Sequence, residues 1–585
     1  MSPIPLPAAY RHRSVPALLA ARAGADPGRL AVVGPAASGA TALTRGELAA
    51  AAATVGRGLT AAGVAPGDRV AWLLDNRSAV EALVLYHAVA GLGAVNVPLN
   101  PRLAPAEVGA LLDHAAPRLV VAAEAHRDRL DHPGGPTGRV GGATVVEVPG
   151  GGRGLGRLAA AAEPGESRGA GSAGERASAT AEPVESDPVV VLYTSGTTGR
   201  PKGVVHTHGS AIAAGLGWAD AFRLTAADVV QSPFPVFAGA GLHFNALACL
   251  WAGAALAVDD ADVGAQLARI GPLGTTVYAA VPSIYAYWLD HEAFASADLG
   301  SLRLLDFGGA AMAPALIERL AAAIPGAGLI QTYGLTEAGP GGTYLAEEYA
   351  VERLGSIGNR GAGRHTEVRV VDDGGRDVAA GGTGELLLRG PSVMAGYLHD
   401  EAATAAAFHD GWLRSGDVVR VDDEGFWYHV DRRKDLIIRG GFNVASVEVE
   451  AALIAHPAVA DAAVIGVAHP KLGEDVHAVV ELRPGASASA EELLAHAAGR
   501  VADFKRPRRI EIVASLPRNA GGKVLKAELR RRASERADAG QGPSVSAASD
   551  RSAGAGGSAG AGGSDAAGGS AGASPGASGS GASPT

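Results

Sequence analysis

The sequence predicts an α/β protein: a large N-terminal domain of mostly parallel sheets covered by helices, a small β-rich subdomain, and a small α+β C-terminal domain. Three observations carry this. Short apolar runs such as Val189-Val190-Val191-Leu192 alternate with Ala/Leu-rich segments of helical length, as expected of strands buried on both faces by crossover helices. From about Gly355 to Val430 the helical segments give way to crowded short strand-like runs, with Asp373-Gly374 as a hairpin-turn signal. Alternation then resumes beyond Asp431–Asp435, over a stretch the size of one small domain.

Taken in order, Thr44 and Glu47 stand at capping-box spacing before an Ala/Leu-rich run that stops near Gly63, which predicts a helix over 42–63. A turn and strand over Gly67–Leu74 follow. Next come a helix over Ser78–Ala90, a strand at Ala94–Val97, a helix at Pro105–His114 and a strand at Leu119–Ala123. Residues 150–187 are rich in Gly, Ala, Ser and Glu without periodicity and are expected to be a largely disordered insertion. Val189–Leu192, bounded by Pro188 and a Gly-rich loop, reads as a fully buried strand.

Val229–Val258 contains no Asp, Glu, Lys or Arg. Pro233, Pro235, His243 and Asn245 interrupt it, and its continuous part falls short of the ~20 residues of a membrane span. It is expected to form a buried loop and a core helix. Strands follow over Thr275–Val281 and Leu302–Asp306, separated by a helix. Past the boundary, Val447–Ile454 and Glu491–Val501 read as helices, and Val459–Val467 and Val476–Leu482 as strands. The expected division is 1–431, 432–532, and a disordered Gly/Ala/Ser tail over 537–585.

At 585 residues the chain is too long for one ordinary core. A formal net charge of −10, with no long Lys/Arg run, argues against a nucleic-acid partner. The lone Cys249 excludes an internal disulfide and a cysteine-based metal site, and fits a reducing cytoplasm. Met1–Tyr10 has no apolar core of a secretory signal, so a cytoplasmic protein without a transmembrane segment is expected.

The chemistry concentrates in Tyr193-Thr194-Ser195-Gly196-Thr197-Thr198-Gly199-Arg200-Pro201-Lys202-Gly203-Val204. Thr194, Ser195, Thr197 and Thr198 supply hydroxyls, Gly196 and Gly199 let backbone approach closely, and Lys202 adds a cation. This is what a polyphosphate requires. It is not a Walker A loop, because no Gly-Lys-Ser or Gly-Lys-Thr closes it. The dodecapeptide resembles the phosphate loop of the adenylate-forming superfamily that contains acyl-CoA synthetases, peptide-synthetase adenylation domains and oxidative luciferases.

Further segments are similar to the same superfamily. In Gln331-Thr332-Tyr333-Gly334-Leu335-Thr336-Glu337 the resemblance implies that Tyr333 stacks on adenine, that the threonines, Thr332 and Thr336, lie by the α-phosphate, and that Glu337 holds Mg²⁺. Gly308-Gly309-Ala310, small residues after a strand, would let a flat ring lie against backbone. Trp412-Leu413-Arg414-Ser415-Gly416-Asp417 implies that Asp417 accepts from the ribose hydroxyls. Asp431-Arg432-Arg433-Lys434-Asp435 implies Arg432 near the ribose and Lys434 at an interdomain hinge. Gly440-Gly441-Phe442-Asn443, with Glu448, resembles the segment that enters during thioester formation, although Ser446 stands where the family usually has Pro. Leu516-Pro517-Arg518-Asn519-Ala520-Gly521-Gly522-Lys523 implies that Lys523 completes the adenylation site.

The resemblance covers about residues 15–532 and implies ATP, Mg²⁺ and coenzyme A as the small molecules used with a carboxylic acid. An amino-acid substrate is argued against, because no Asp stands at Pro235 to meet an α-ammonium. Phe237, Ala238, Gly239, Gly241 and Gly308 are expected to line a roomy apolar acyl pocket. His206, His208 and His243 are expected to be structural. The expected activity is acyl-CoA formation from a hydrophobic acid, a fatty acid favoured over an aryl acid. Alternatives are a ligase loading a carrier protein and a non-catalytic adenylate-binding relative.

Overall fold

The computed structural model describes residues 4–6, 10, 13–39, 41–130, 139–140, 143–148, 155, 182–194, 201–363, 365–440, 442–518 and 524–538. Thr44 caps the helix Arg45–Ala61: its Oγ1 accepts from the Glu47 N–H at 3.3 Å, and Glu47 Oε2 accepts from the Thr44 N–H at 2.8 Å. That reciprocal pair satisfies two otherwise orphaned donors and fixes where the helix begins.

Two sheets form the large N-terminal part. One, of eight strands, has Pro188–Thr194, Val95–Pro98, Arg69–Leu73 and Leu119–Ala123 parallel and adjacent. The other, of nine strands, has Leu30–Val33, Ala255–Val258, Val229–Ser232, Val277–Ala280, Leu304–Gly308 and Gly328–Gly334 parallel. Antiparallel strands close the edges of both. The helix Ala79–Gly91 is buried from Ala79 to Ala90, and His208–Ala221 is buried over most of its length. Residues of both helices and both sheets share one hydrophobic cluster, so apolar residues all round these helices replace a one-faced stripe.

The expectation for Val229–Val258 needs correction. Its ends, Val229–Ser232 and Ala255–Val258, are neighbouring parallel strands, and only the middle is helical, as Ala240–Leu247 with wide π-type turns followed by Ala248–Ala252. Short β-branched runs had merged with the intervening helix into a single uncharged stretch. The end of the 150–187 segment is described: Glu185 pairs with Arg13 at 2.6 Å, and the Asp187 carbonyl accepts from the His208 N–H. Most of 150–187, and residues 539–585, lie outside the described residues; 537–538 close the helix Lys526–Asp538.

A six-stranded antiparallel sheet between Ser356 and Arg432 forms the β-rich part, with Glu367–Val371 and Thr383–Arg389 making the hairpin signalled at Asp373-Gly374. The last sheet draws only on Ile437–Arg439, Phe442–Val444, Val459–His469, Gly473–Leu482 and Arg509–Val513. It has its own core of Ile437, Val449, Leu453, Val464, Val480 and Leu493, supplied by strands and by the helices Ser446–Ile454 and Ala490–Ala498.

Candidate active site

The strand Pro188–Thr194 is buried from Val189 to Leu192, and Lys202–Thr207 returns antiparallel to it with Thr194 opposite Lys202. The two strands that flank the Gly-rich segment are therefore an antiparallel pair rooted in the core. The segment's members Ser195, Gly196, Thr197, Thr198 and Gly199 lie outside the described residues. Its two anchors, Thr194 and Lys202, both line a cavity of ≈ 390 Å³.

The polar wall of that cavity gathers residues far apart in sequence. Thr332, Tyr333, Gly334, Thr336 and Glu337 come from the end of Gly328–Gly334 and the turn after it, Gly308 and Gly309 from the adjacent strand, and Arg432 from the β-rich sheet. Gly308 is required by packing, since a Cβ there would lie 2.2 Å from Thr332 Oγ1. Thr332 Oγ1 donates to Asp306 Oδ1 at 2.8 Å, and burial raises the Asp306 carboxyl well above its usual range.

Asp417 stands behind this wall, only 1 % exposed. The Tyr333 hydroxyl donates to its Oδ2, while Arg432 Nε and His429 Nε2 lie 3.0 and 3.4 Å from its Oδ1. Burial pushes this carboxyl up, but His429, Arg432 and the Tyr333 hydrogen bond outweigh it and hold Asp417 below the usual carboxylate range. Burial, then Asp417, raises the Tyr333 phenol well above its ordinary value.

Tyr397, which the sequence reading missed, organises the wall. Its hydroxyl donates to Glu337 Oε1 at 3.0 Å, and Lys202 Nζ sits 4.5 Å from its ring centroid. The short strand Gly396–Tyr397 pairs with Val204 and Val205, and the Met394 N–H donates to the Glu337 carbonyl at 2.8 Å. One phenol thus meets both the carboxylate and the cation. No motif around Gly396-Tyr397 signals this, because the pairing exists only in three dimensions.

Buried histidines brace the same turn from inside. His206 Nε2 donates to the Thr336 carbonyl at 2.8 Å, and His243 Nδ1 donates to the Gly339 carbonyl at 3.0 Å, its other nitrogen facing the Tyr86 hydroxyl at 3.5 Å. These bonds use neutral rings. Burial pushes His206 down to about 4 and His243 down to about 3, and the neighbouring His206 lowers His243 further. His206 and His243, two of the three histidines expected to be structural, hold the backbone on either side of Glu337.

The apolar wall combines Ala238, Gly239, Ala240 and Pro340 with the rings of Trp218, Phe234 and Phe244. The centroids of Trp218 and Phe244 are 4.6 Å apart, and Phe234 meets Phe244 edge-on at 5.8 Å. A Cβ on Gly239 would press on Leu192 at 3.2 Å and Pro340 at 3.4 Å. Three expected residues are placed elsewhere. Gly241 is a packing glycine whose Cβ would lie 2.2 Å from the Pro235 carbonyl oxygen, Phe237 packs on the core cluster, and Ala310 is exposed beyond Gly309. The expected pocket named Phe237 as its aromatic member; the rings that line the cavity are those of Trp218, Phe234 and Phe244.

These geometries meet a clear counterpart among known proteins. The family model described as AMP-binding enzyme matches residues 19–398, and the AMP-binding enzyme C-terminal domain matches 448–523. This chain belongs to the AMP-binding enzymes, among their acyl-CoA synthetases. It is 36% identical over 505 residues to feruloyl-CoA synthase of Amycolatopsis sp, covering 84% of this chain and 94% of that protein. It is 35% identical over 479 residues to the long-chain-fatty-acid–CoA ligase FadD13 of Mycobacterium tuberculosis, covering 81% and 89%. The solved structure of O-succinylbenzoate coenzyme A synthetase (MenE) from Bacillus subtilis, in complex with ATP and magnesium ion, superposes with a TM-score of 0.75 at 29% identity, covering 88% and 98%.

The segment matched by the C-terminal family model follows the cavity-bearing part in sequence. Lys434 is exposed, and neither it nor Gly440 nor Phe442 lines the cavity. Phe442 is 57 % exposed and stacks on Phe504 with centroids 4.8 Å apart, while Glu448 pairs with Lys505 at 2.6 Å. Gly441, the Asn443 side chain and Lys523 lie outside the described residues. Ser446 is buried; its Oγ donates to Asp431 Oδ2 at 2.5 Å and accepts from Lys526 Nζ at 2.5 Å, tying the last helices to the boundary turn. The basic residues near the end are largely neutralised, with Lys526 on Glu450 and Arg508 and Arg506 on Asp503. Among the described residues no helix is long and apolar enough to cross a membrane.

The polar wall fits a magnesium nucleotide. Among the described residues no three His, Cys, Asp or Glu converge as a protein cage. A single carboxylate, Glu337, faces the cavity with one oxygen engaged by Tyr397. A hard cation that keeps waters and phosphate oxygens as its other ligands suits such a donor.

Proposed function

We propose that the enzyme adenylates a compact hydrophobic carboxylic acid at the expense of ATP, releasing pyrophosphate, and then transfers the acyl group to coenzyme A with release of AMP. The observation that carries this reading is the single cavity in which Thr194, Lys202, Glu337 and Arg432 face Ala238, Trp218 and Phe244. A carboxylate cannot be displaced by a thiol at neutral pH because its leaving group is poor, and forming a mixed anhydride with AMP supplies a better one.

In this reading the segment from Thr194 through Ser195, Gly196, Thr197, Thr198 and Gly199 to Lys202 holds the departing phosphates. Tyr333 and the Gly309 backbone enclose adenine, and Gly334 leaves room for it. Asp417 and Arg432 meet the ribose. Thr332 and Thr336 lie by the α-phosphate that the acid attacks. Glu337 would hold Mg²⁺, which supplies neutralisation of phosphate charge when bound. Lys523 brings a cation to the same centre as negative charge develops.

Lys523 and the Gly440–Asn443 segment belong to one C-terminal unit and serve different half-reactions, so the unit turns about Lys434 between them. A carrier-protein thiol is the alternative acceptor to coenzyme A.

The aromatic wall favours a ring-bearing acid, in keeping with the similarity to feruloyl-CoA synthase. A straight-chain fatty acid is the second reading, supported by the similarity to a long-chain-fatty-acid–CoA ligase. The test is acid-dependent exchange of labelled pyrophosphate into ATP across both acid classes, followed by thioester formation with coenzyme A. Exchange with phenylpropanoic acids above that with alkanoic acids is expected. Acid-independent ATP turnover, or no exchange with any acid, would overturn the proposal.

A further inference from the structure

The apolar wall hangs on a loop with few bonds of its own. After the strand Val229–Ser232 the chain runs Pro233-Phe234-Pro235-Val236 before reaching Ala238, Gly239 and Ala240. Pro233 and Pro235 carry no N–H to anchor it. Phe234, Ala238, Gly239 and Ala240 all line the cavity, so the shape of the wall depends on where this loop is held. The Phe234 N–H donates to Ser232 Oγ at 3.1 Å. Further bonds come from the other large sheet, through Asn76 in the turn after the strand Arg69–Leu73.

Asn76 Nδ2 donates to the carbonyls of Asp259, Pro233 and Phe234 at 2.7, 3.1 and 3.3 Å, and its Oδ1 accepts from the Val236 N–H at 3.0 Å. The reversed amide would set its NH₂ against an N–H and its oxygen against three carbonyls, so the partners fix its orientation. Asp259 is a firm anchor. It is 1 % exposed, and its carboxylate receives Arg269 Nη1 at 2.5 Å, Gln231 Nε2 at 2.8 Å and the Tyr278 hydroxyl at 3.0 Å.

We infer that Asn76 is a positioning residue for acid selection: its amide ties the backbone of Pro233–Val236 to Asp259 and thereby sets where the Phe234 ring stands against Phe244. This rests on the acid-adenylation reading above. Asn76 does not itself line the cavity and acts through the loop. Without the amide, the edge-on contact of Phe234 with Phe244, 5.8 Å between centroids, is free to shift. An acid whose body reaches that ring loses a shaped wall, and an acid too short to reach it does not.

The experiment measures acid-dependent pyrophosphate exchange with 3-phenylpropanoic and propanoic acids, which share their carboxylate end, in wild-type enzyme, N76D, F234A and the double variant. N76D keeps the size and the acceptor for Val236 but turns an oxygen towards three carbonyls. The wild-type enzyme should prefer the phenyl acid. N76D should lower kcat/KM for that acid about tenfold more than for propanoic acid, mainly through KM, while calorimetric affinity for magnesium ATP stays unchanged. In F234A, adding N76D should alter the ratio by less than about twofold, because the ring that Asn76 positions is gone. Equal losses for both acids, a tenfold change that persists in F234A, or a wild-type enzyme indifferent to the ring would each overturn the inference alone. N76A gives the same comparison where N76D yields no folded protein, and failure of both to fold overturns the role by making Asn76 a requirement of the fold. No exchange with any acid defeats the adenylation reading and the inference with it.

Discussion

The two walls of the cavity are built on opposite principles. On the polar wall, groups are partnered in advance: Glu337 by Tyr397, Asp417 by Tyr333 with Arg432 and His429 against it, and the carbonyls of Thr336 and Gly339 by buried histidines. On the apolar wall, flat rings and small residues offer area and shape. Preorganised charge serves a chemistry that is the same for every acid, because its donors need no rearrangement as charge develops. A wall of rings beside small residues serves selection between acids. Catalysis and choice are thus separable here, and each change to one wall should leave its mark on a different kinetic constant.

The sharpest way to break this division is at Glu337. E337Q keeps the shape and removes the charge, so the rate of adenylation should fall about 100- to 1,000-fold, with a similar loss for every acid. Stopped-flow measurement of acyl-adenylate formation checks this, and chelation of divalent cations should mimic it. An acid-dependent loss would mean that the walls are not independent.

A238F addresses the other wall. Filling the space beside the aromatic rings should cost about tenfold to 100-fold in kcat/KM for bulky acids, while the dissociation constant for ATP, measured by calorimetry, stays close to that of wild type. Equal losses in both would contradict the separation.

Y397F is the smaller test of the polar wall. Losing the hydrogen bond to Glu337 should raise the KM for magnesium ATP and lower adenylation by roughly tenfold, and calorimetric binding of magnesium ATP should weaken while that of metal-free ATP changes less.

The smallest effect is on stability. Burial depresses His206 and His208 to about 4 and His243 to about 3, so the folded state refuses protons that unfolded histidines accept below about pH 6.5. Their contribution is complete above that pH and is lost as the pH falls toward the folded values. The melting temperature should drop between pH 6.5 and pH 4. H243Q should lower it at pH 7 by a few °C and make the acid limb shallower; an unchanged slope would remove His243 from the account.

The polar wall was far more legible in the sequence than the apolar one. Thr194, Lys202, Tyr333, Glu337 and Arg432 lie in contiguous segments whose composition is dictated by phosphate, magnesium and ribose, so local chemistry announces them. Tyr397 escaped because its role depends on a strand pairing between Gly396–Tyr397 and Val204–Val205. Trp218 and Phe244 escaped because an aromatic residue on a buried helix looks the same whether a cavity lies beside it or not. Gly241 misled for a related reason: a glycine needed for contact with the Pro235 backbone carries no mark distinguishing it from one that opens a pocket. The capping box at Thr44 and the strand at Leu119–Ala123 were read directly because hydrogen-bond geometry and burial periodicity are local.

The central claim is that one cavity holds the nucleotide and the acid together. The most direct measurement is the affinity for a non-hydrolysable aryl-acyl sulfamoyl adenosine, compared with AMP and with the free acid. The account predicts that the joined molecule binds at least about 100-fold tighter than AMP. An analogue that binds no tighter than AMP would contradict it.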